Sequence, residues 1–298
     1  MHLLDYTCDS AAENLALDEA LLLAAEADAG GEVLWLWEAQ QPAVIVGAGG
    51  SVAIDVNVPA CAANGIPILR RASGGGTVVI GPGCLCFSLV LGYERAVGLN
   101  EIPASNRYVL GRILNALRSV VPGAVVEGTS DLTVNGVKFS GNAQQRKRNS
   151  FLHHGTLLYG FDLSLIAKYL NAPERQPQYR ANRPHTEFVR NLPCDGESLK
   201  RLLGAEWQAE GEYAPLPVQT MRELMMEKYE REEYTNRCSA PPHRHPVPSR
   251  TRPDRRVDPL RSRSRGSRAT VAVERSPSPP RPSRSRRRRG SHSRRTRP

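Results

Sequence analysis

The 298 residues carry 40 Lys and Arg against 30 Asp and Glu, yet the formal net charge of +10 describes neither part of the chain. Residues 1–238 hold 21 basic and 27 acidic side chains, a net of −6, and contain enough apolar material to read as one domain around a single core. Residues 239–298 hold 19 Arg and 3 acids, a net of +16, and their Arg, Ser and Pro have too little apolar bulk to offset chain entropy, so a disordered tail is expected. The cysteines, Cys8, Cys61, Cys84, Cys86, Cys194 and Cys238, form no C-x-x-C pair, which argues against a disulfide framework or zinc site; no metal ligand set is predicted. Met1–Ser10 lacks a leader pattern, and Asp18, Glu19 and Glu26 interrupt the apolar run that follows. A soluble, cytoplasmic chain with no membrane segment is expected.

In chain order, Ser10 and Glu13 have the spacing of a capping box and open a helix over 11–27. Val33–Trp37 and Ala43–Val46 read as buried strands around a turn at Gln41-Pro42. Ile66–Arg71 and Thr77–Ile80 read as a strand pair flanking Gly74-Gly75-Gly76. That run, preceded by Arg70 and Arg71, is either a tight turn or a cradle in which backbone N–H groups close on an anion. Leu85–Leu91 is a further strand, and apolar residues at helical spacing place a helix over 108–121.

Asn135-Gly136 is the favoured dipeptide of a two-residue type I′ hairpin, which would pair Val134 with Val137, Thr133 with Lys138, Leu132 with Phe139 and Asp131 with Ser140. Alternation then turns Leu132, Val134, Val137 and Phe139 to the core and Asp131, Thr133, Lys138 and Ser140 to the other, polar face. Phe151–Tyr159 is another strand, on which His153 and His154 must point to opposite faces and so cannot chelate one ion. Helical patterns follow near 163–170, 198–203 and 218–230, with an irregular basic stretch over 175–190. The fold class is α/β (α+β), a mixed, largely antiparallel sheet backed by helices on one side, without Rossmann or barrel alternation.

Arg70-Arg-Ala-Ser-Gly-Gly-Gly76, Ser130-Asp-Leu with Gly136-Val-Lys-Phe-Ser-Gly-Asn-Ala-Gln144, and His154-Gly-Thr-Leu-Leu158, together with Asn14-Leu-Ala-Leu-Asp-Glu-Ala-Leu21, resemble the lipoate-protein ligase family. The resemblance covers about residues 1–195 and implies the fold of biotin-protein ligases and class II synthetase catalytic domains. It implies activation of lipoate or octanoate with ATP and Mg²⁺ to an acyl-adenylate, then transfer to a lysine of a carrier. Such carriers are the lipoyl domains of 2-oxoacid dehydrogenase complexes or the glycine cleavage H protein.

By the same resemblance, Lys138 is the catalytic cation, and Arg71 and Ser73 with the backbone of Gly74, Gly75 and Gly76 cradle the carboxylate and phosphate end. Asp131 helps place nucleotide and Mg²⁺; Ser140, Gly141 and Ala143 line the site, and His154 and Gly155 close its floor. Val79, Leu85 and Phe87 are candidates for an apolar tunnel, core packing being their commoner role. The chain departs from the family after Gly76, where Val79-Ile-Gly-Pro-Gly-Cys84 replaces a His-Asp and Gly-Asn pattern, and 196–238 is short for an accessory domain. Two alternatives stand beside the ligase. One is an ATP-independent acyltransferase with Cys194 as nucleophile; the other is a polyanion-binding adaptor acting through the basic tail, the one route by which nucleic acid would be a partner.

Overall fold

Ser10 accepts from the Glu13 amide at 3.1 Å while the Glu13 carboxylate takes the Ser10 amide at 2.9 Å, so the capping box forms as its spacing requires and starts the first helix. In the computed structural model, residues 1–173 and 176–237 are described; the tail expected over 239–298, and Cys238, lie outside them. The order of elements is β1 (His2–Asp5), α1 (Ala11–Glu26), β2 (Val33–Trp37), β3 (Ala43–Val46), α2 (Val52–Asp55), α3 (Val58–Ala63), β4 (Ile68–Arg70), β5 (Val78–Ile80), β6 (Cys84–Gly92) and α4 (Ile102–Ala116). Then come β7 (Val125–Glu127), β8 (Asp131–Val134), β9 (Val137–Ser140), β10 (Asn142–Arg146), β11 (Ser150–Leu158), α5 (Ser164–Tyr169), α6 (His185–Phe188), α7 (Gly196–Trp207), α8 (Val218–Leu224) and α9 (Glu232–Asn236).

The central sheet has the order β1-β2-β6-β11-β10, parallel between β1 and β2 and antiparallel elsewhere. Every residue of β2 is buried, and along β6 the alternate residues feed two separate cores. Trp35, Trp37, Cys84, Cys86 and Val90 pack with Leu15 and Leu22 of α1; Leu34, Leu36, Leu85, Phe87 and Leu89 pack with Val109 and Leu110 of α4 and Leu199 and Leu203 of α7. The helices therefore cover both faces rather than one, because strands apolar on both sides need two covers.

Two expected strand pairs are not pairs. β2 and β3 separate at Gln41-Pro42 into different sheets, and β4 and β5 both bond to β3, which lies between them in the order β4-β3-β5. The glycine run is thus no tight turn: it carries the chain past the end of β3.

The hairpin forms a third sheet with β7, and its turn has positive φ at both central positions, 53° at Asn135 and 69° at Gly136, as type I′ demands. Val134 pairs with Val137 and Thr133 with Lys138, but a bulge between Leu132 and Thr133 sets Leu132 opposite Ser140 instead of Phe139. The polar face is not solvated. Thr133 and Ser140 are buried, and the Thr133 hydroxyl donates to Glu127 at 2.7 Å.

The last described segment clips onto the first. Lys228 and the Tyr229 hydroxyl both bond to Glu19 of α1, the hydroxyl at 2.8 Å. The buried Arg70 guanidinium reaches the carbonyls of Thr235 at 2.7 Å and of Gly47 and Gly50 at 2.8 Å. Among the described residues no helix is long and apolar enough to cross a membrane.

Candidate active site

Arg70 and Arg71 leave β4 in opposite directions, as consecutive strand residues must. Arg70 serves the clip. Arg71 folds its guanidinium into the glycine loop, where Nη2 donates to the carbonyls of Gly74 at 2.6 Å and Gly76 at 2.8 Å, and Nε donates to Ser73 Oγ at 2.9 Å. Burial lowers its pKa to about 10, against the opposing pull of Asp18. Gly75 sits at φ 87°, in the left-handed region that favours glycine. With the loop's carbonyls drawn inward to Arg71, the amides of Gly74, Gly75 and Gly76 make no hydrogen bond among the described residues, and all three glycines line one cavity of about 1150 Å³. Three unpaired N–H groups around a bend fit an anion.

Lys138 lines the same cavity. Its Nζ lies 2.7 Å from one oxygen of Asp131, whose other oxygen accepts from the Tyr179 hydroxyl at 2.6 Å. Burial, then the hydrogen bond to Asp131, pushes the Tyr179 phenol well above its ordinary range. Gly141 leaves room for the amine, since a Cβ there would stand 2.9 Å from Lys138 Nζ. A Cβ on Gly75 would lie 3.5 Å from that of Ala143, so the glycine loop and β10 meet. Asn142 knits this corner: its amide donates to Ser130 at 2.7 Å and to Ser140 Oγ at 3.1 Å, and a Cβ on Gly155 would collide with its Oδ1 at 2.0 Å.

The histidines divide as strand geometry requires. His153 is fully buried and stacked near Phe87, and burial pushes its pKa down to about 3, so it stays neutral. His154 faces the cavity, with Nδ1 on Asp18 and Nε2 2.6 Å from Ser73 Oγ. The apolar end is formed by Leu15, Trp37, Ile45, Val78, Ile80 and Cys86, with Phe87 as the one tunnel candidate present. Val79 and Leu85 are not in the lining and pack in the two cores, Val79 one residue out of phase with Val78 and Ile80.

Of the expected residues, Arg71, Gly74, Gly75, Gly76, Asp131, Lys138, Gly141, Ala143, His154 and Gly155 share this cavity; Ser73 and Ser140 stand behind it, buried. Cys194 is not in the lining. It is half-buried against the α7 side, and burial followed by Asp195 raises its thiol pKa, the opposite of what an acyl-accepting thiolate requires. Sequence reasoning missed Asp18, Tyr179 and Asn142 as parts of the site. A charged residue inside the apolar run Leu15–Leu22 was the available signal for Asp18; Tyr179, in an irregular stretch, offered none.

The chain is 36% identical over 158 residues to a probable lipoate-protein ligase A of Mycoplasma genitalium, covering 53% of this chain and 46% of that protein. It is 31% identical over 139 residues to lipoate–protein ligase 1 of Plasmodium falciparum, covering 46% of this chain and 31% of that protein. It thus spans about half or less of the length of these relatives. The fold matches that of a bi-partite lipoate protein ligase from Thermoplasma acidophilum at TM-score 0.68 and 21% identity, over 80% of this chain and 97% of that one. A lipoate-protein ligase A bound with ATP matches at TM-score 0.64 and 22% identity, over 80% and 98%. The family profile of the lipoyl protein ligase A/B catalytic domain matches residues 10–209, a span that holds the glycine loop, the hairpin and the histidine strand, and the chain belongs to this family.

Proposed function

We propose that this protein is a lipoate-protein ligase that activates lipoate or octanoate with ATP and passes the acyl group to a lysine of a carrier protein. The observation that carries the reading is the convergence of three loop amides, unpaired among the described residues, and one primary amine in a cavity with an apolar end. Such a cavity suits a fatty acid whose carboxylate must meet a phosphate. The acyl chain runs toward Trp37, Ile80 and Cys86, and its carboxylate rests on the amides of Gly74 to Gly76. The carboxylate oxygen attacks the α-phosphorus of ATP and pyrophosphate departs; Lys138 Nζ neutralises the charge growing between the two anions. The carrier's lysine nitrogen then attacks the acyl carbon, AMP leaves, and the amine's proton passes to solvent. Asp131 and Tyr179 hold the Lys138 amine in place. Each Asp131 oxygen makes one such contact and keeps a second lone pair, so Asp131 would help hold a Mg²⁺ that neutralises phosphate charge.

A lipoyl domain is the expected acceptor: the T. acidophilum ligase is described with its E2 lipoyl domain, and the glycine cleavage H protein is a second acceptor of the same chemistry. A separate T. acidophilum structure contains bound lipoic acid, which supports lipoate as the acyl donor. The Cys194 acyltransferase is disfavoured by the position and raised pKa of that thiol.

The test mixes purified protein, an unmodified lipoyl domain, lipoate or octanoate, and ATP, and follows the carrier's mass. Acylation that needs ATP and falls by ~10² or more in Lys138→Ala is expected. Synthetic lipoyl-adenylate separates transfer from activation. ATP-independent acylation from an octanoyl carrier thioester, with an acyl adduct on Cys194, would overturn the reading.

A further inference from the structure

We infer that Asp18 is a positioning residue for the anion cradle, acting through His154, Ser73 and Arg71 in turn. The inference rests on the ligase reading for the identity of the anion, while the relay is read from the contacts of four side chains within the protein. Arg71 Nε donates to Ser73 Oγ at 2.9 Å, and a guanidinium can only donate. Among the described residues His154 Nε2, 2.6 Å away, is the one acceptor within reach of the Ser73 hydroxyl, so the Ser73 proton is assigned to it. Nε2 accepts only if the ring carries its proton on Nδ1, and that proton needs an acceptor, which is Asp18.

The connectivity is that of a serine–histidine–aspartate triad, yet it does not work as one. Ser73 is 1% exposed, lies outside the cavity lining and already accepts the guanidinium proton, so its oxygen cannot reach a substrate carbon. The chain instead runs inward. By fixing the plane of Arg71 it fixes the carbonyls of Gly74 and Gly76, which the same guanidinium holds, and with them the peptide planes of the loop that lines the cavity. Asp18 itself is 3% exposed and lines the cavity, and its Oδ1 is buried with no hydrogen-bond partner among the described residues. A carboxylate left half-satisfied in the interior costs stability, and a positioning duty accounts for keeping it.

The test uses the full chain as wild type, Asp18→Asn, Asp18→Glu and Ser73→Ala. Imidazole ¹⁵N spectra without ligand should report the Nδ1–H form of His154 in wild type and a mixed or reversed tautomer in Asp18→Asn, whose side-chain amide can donate to Nδ1. Calorimetry should show lipoate binding weakened ~10- to 100-fold in Asp18→Asn and Ser73→Ala, partly recovered in Asp18→Glu, with affinity for the uncharged analogue lipoamide within ~2-fold of wild type. Equal losses for lipoate and lipoamide, or an unchanged tautomer with unchanged lipoate affinity, would overturn the relay. Because the tautomer is read without ligand, a wild-type chain that binds neither lipoate nor octanoate would sink the ligase reading alone.

Discussion

Two side chains define what single substitutions should do. The Tyr179 hydroxyl holds one oxygen of Asp131 while Lys138 holds the other. Tyr179→Phe removes a hydrogen bond to a charged group, worth ~1.5–3 kcal/mol, and should lower kcat/KM about tenfold and the thermal midpoint by several degrees. Steady-state kinetics beside a melting curve checks this. His153 carries the acid sensitivity of the fold. Its folded pKa, depressed by burial to about 3, lies below the unfolded value of 6.5. Between those values the unfolded chain binds the extra proton, so stability is complete above pH 6.5 and falls as pH drops toward 3, by up to ~1.4 kcal/mol per pH unit. Denaturant titrations at several pH values should show this slope flatten in His153→Gln. Lys138, Arg71 and His154 were legible because each stands in a local motif. Tyr179 was not, since it reaches Asp131 across 48 residues and only tertiary structure joins them.

The glycine loop is the element on which the site turns, and its shape depends on a glycine outside it. A Cβ on Gly47 would meet the Gly75 carbonyl oxygen at 2.1 Å, a backbone atom that can give way only if the loop moves. Gly47→Ala should therefore weaken lipoate binding at least ~10-fold, measured by calorimetry, with secondary structure intact by circular dichroism. The sequence placed the strands on either side of the loop well but joined them wrongly. Glycine between two apolar runs looks like a hairpin locally; what intervenes is β3, some 30 residues upstream, and non-local pairing leaves no trace in the loop itself. The hairpin over 131–140 was read more completely, because Asn135-Gly136 dictates its own turn, whereas the bulge at Leu132 answers to burial of Ser140 beside Asn142.

At the scale of the whole molecule, helices on both faces of the central sheet follow from strands that are apolar on both sides, and the cover is completed by the segment after α7. The tail over 239–298, read from composition as disordered, is expected to be dispensable: a chain ending at Cys238 should match full-length melting and ligation, with any salt-sensitive binding to nucleic acid lost. Ending instead at Arg231 strips the Tyr234 and Thr235 carbonyls from the buried Arg70 guanidinium and should cost ~3 kcal/mol or more, read by chemical denaturation. That clip also bears on synthesis. The ribosome releases the glycine bend, the lysine hairpin and the histidine strand long before it releases Tyr229 and Thr235, whose partners Glu19 and Arg70 belong to the earliest segments. A nascent chain halted after α7 therefore owns every atom of the anion cradle but lacks the strap that holds α1 and β4 in place, and competence to bind the fatty acid should appear as a single step once Thr235 has emerged.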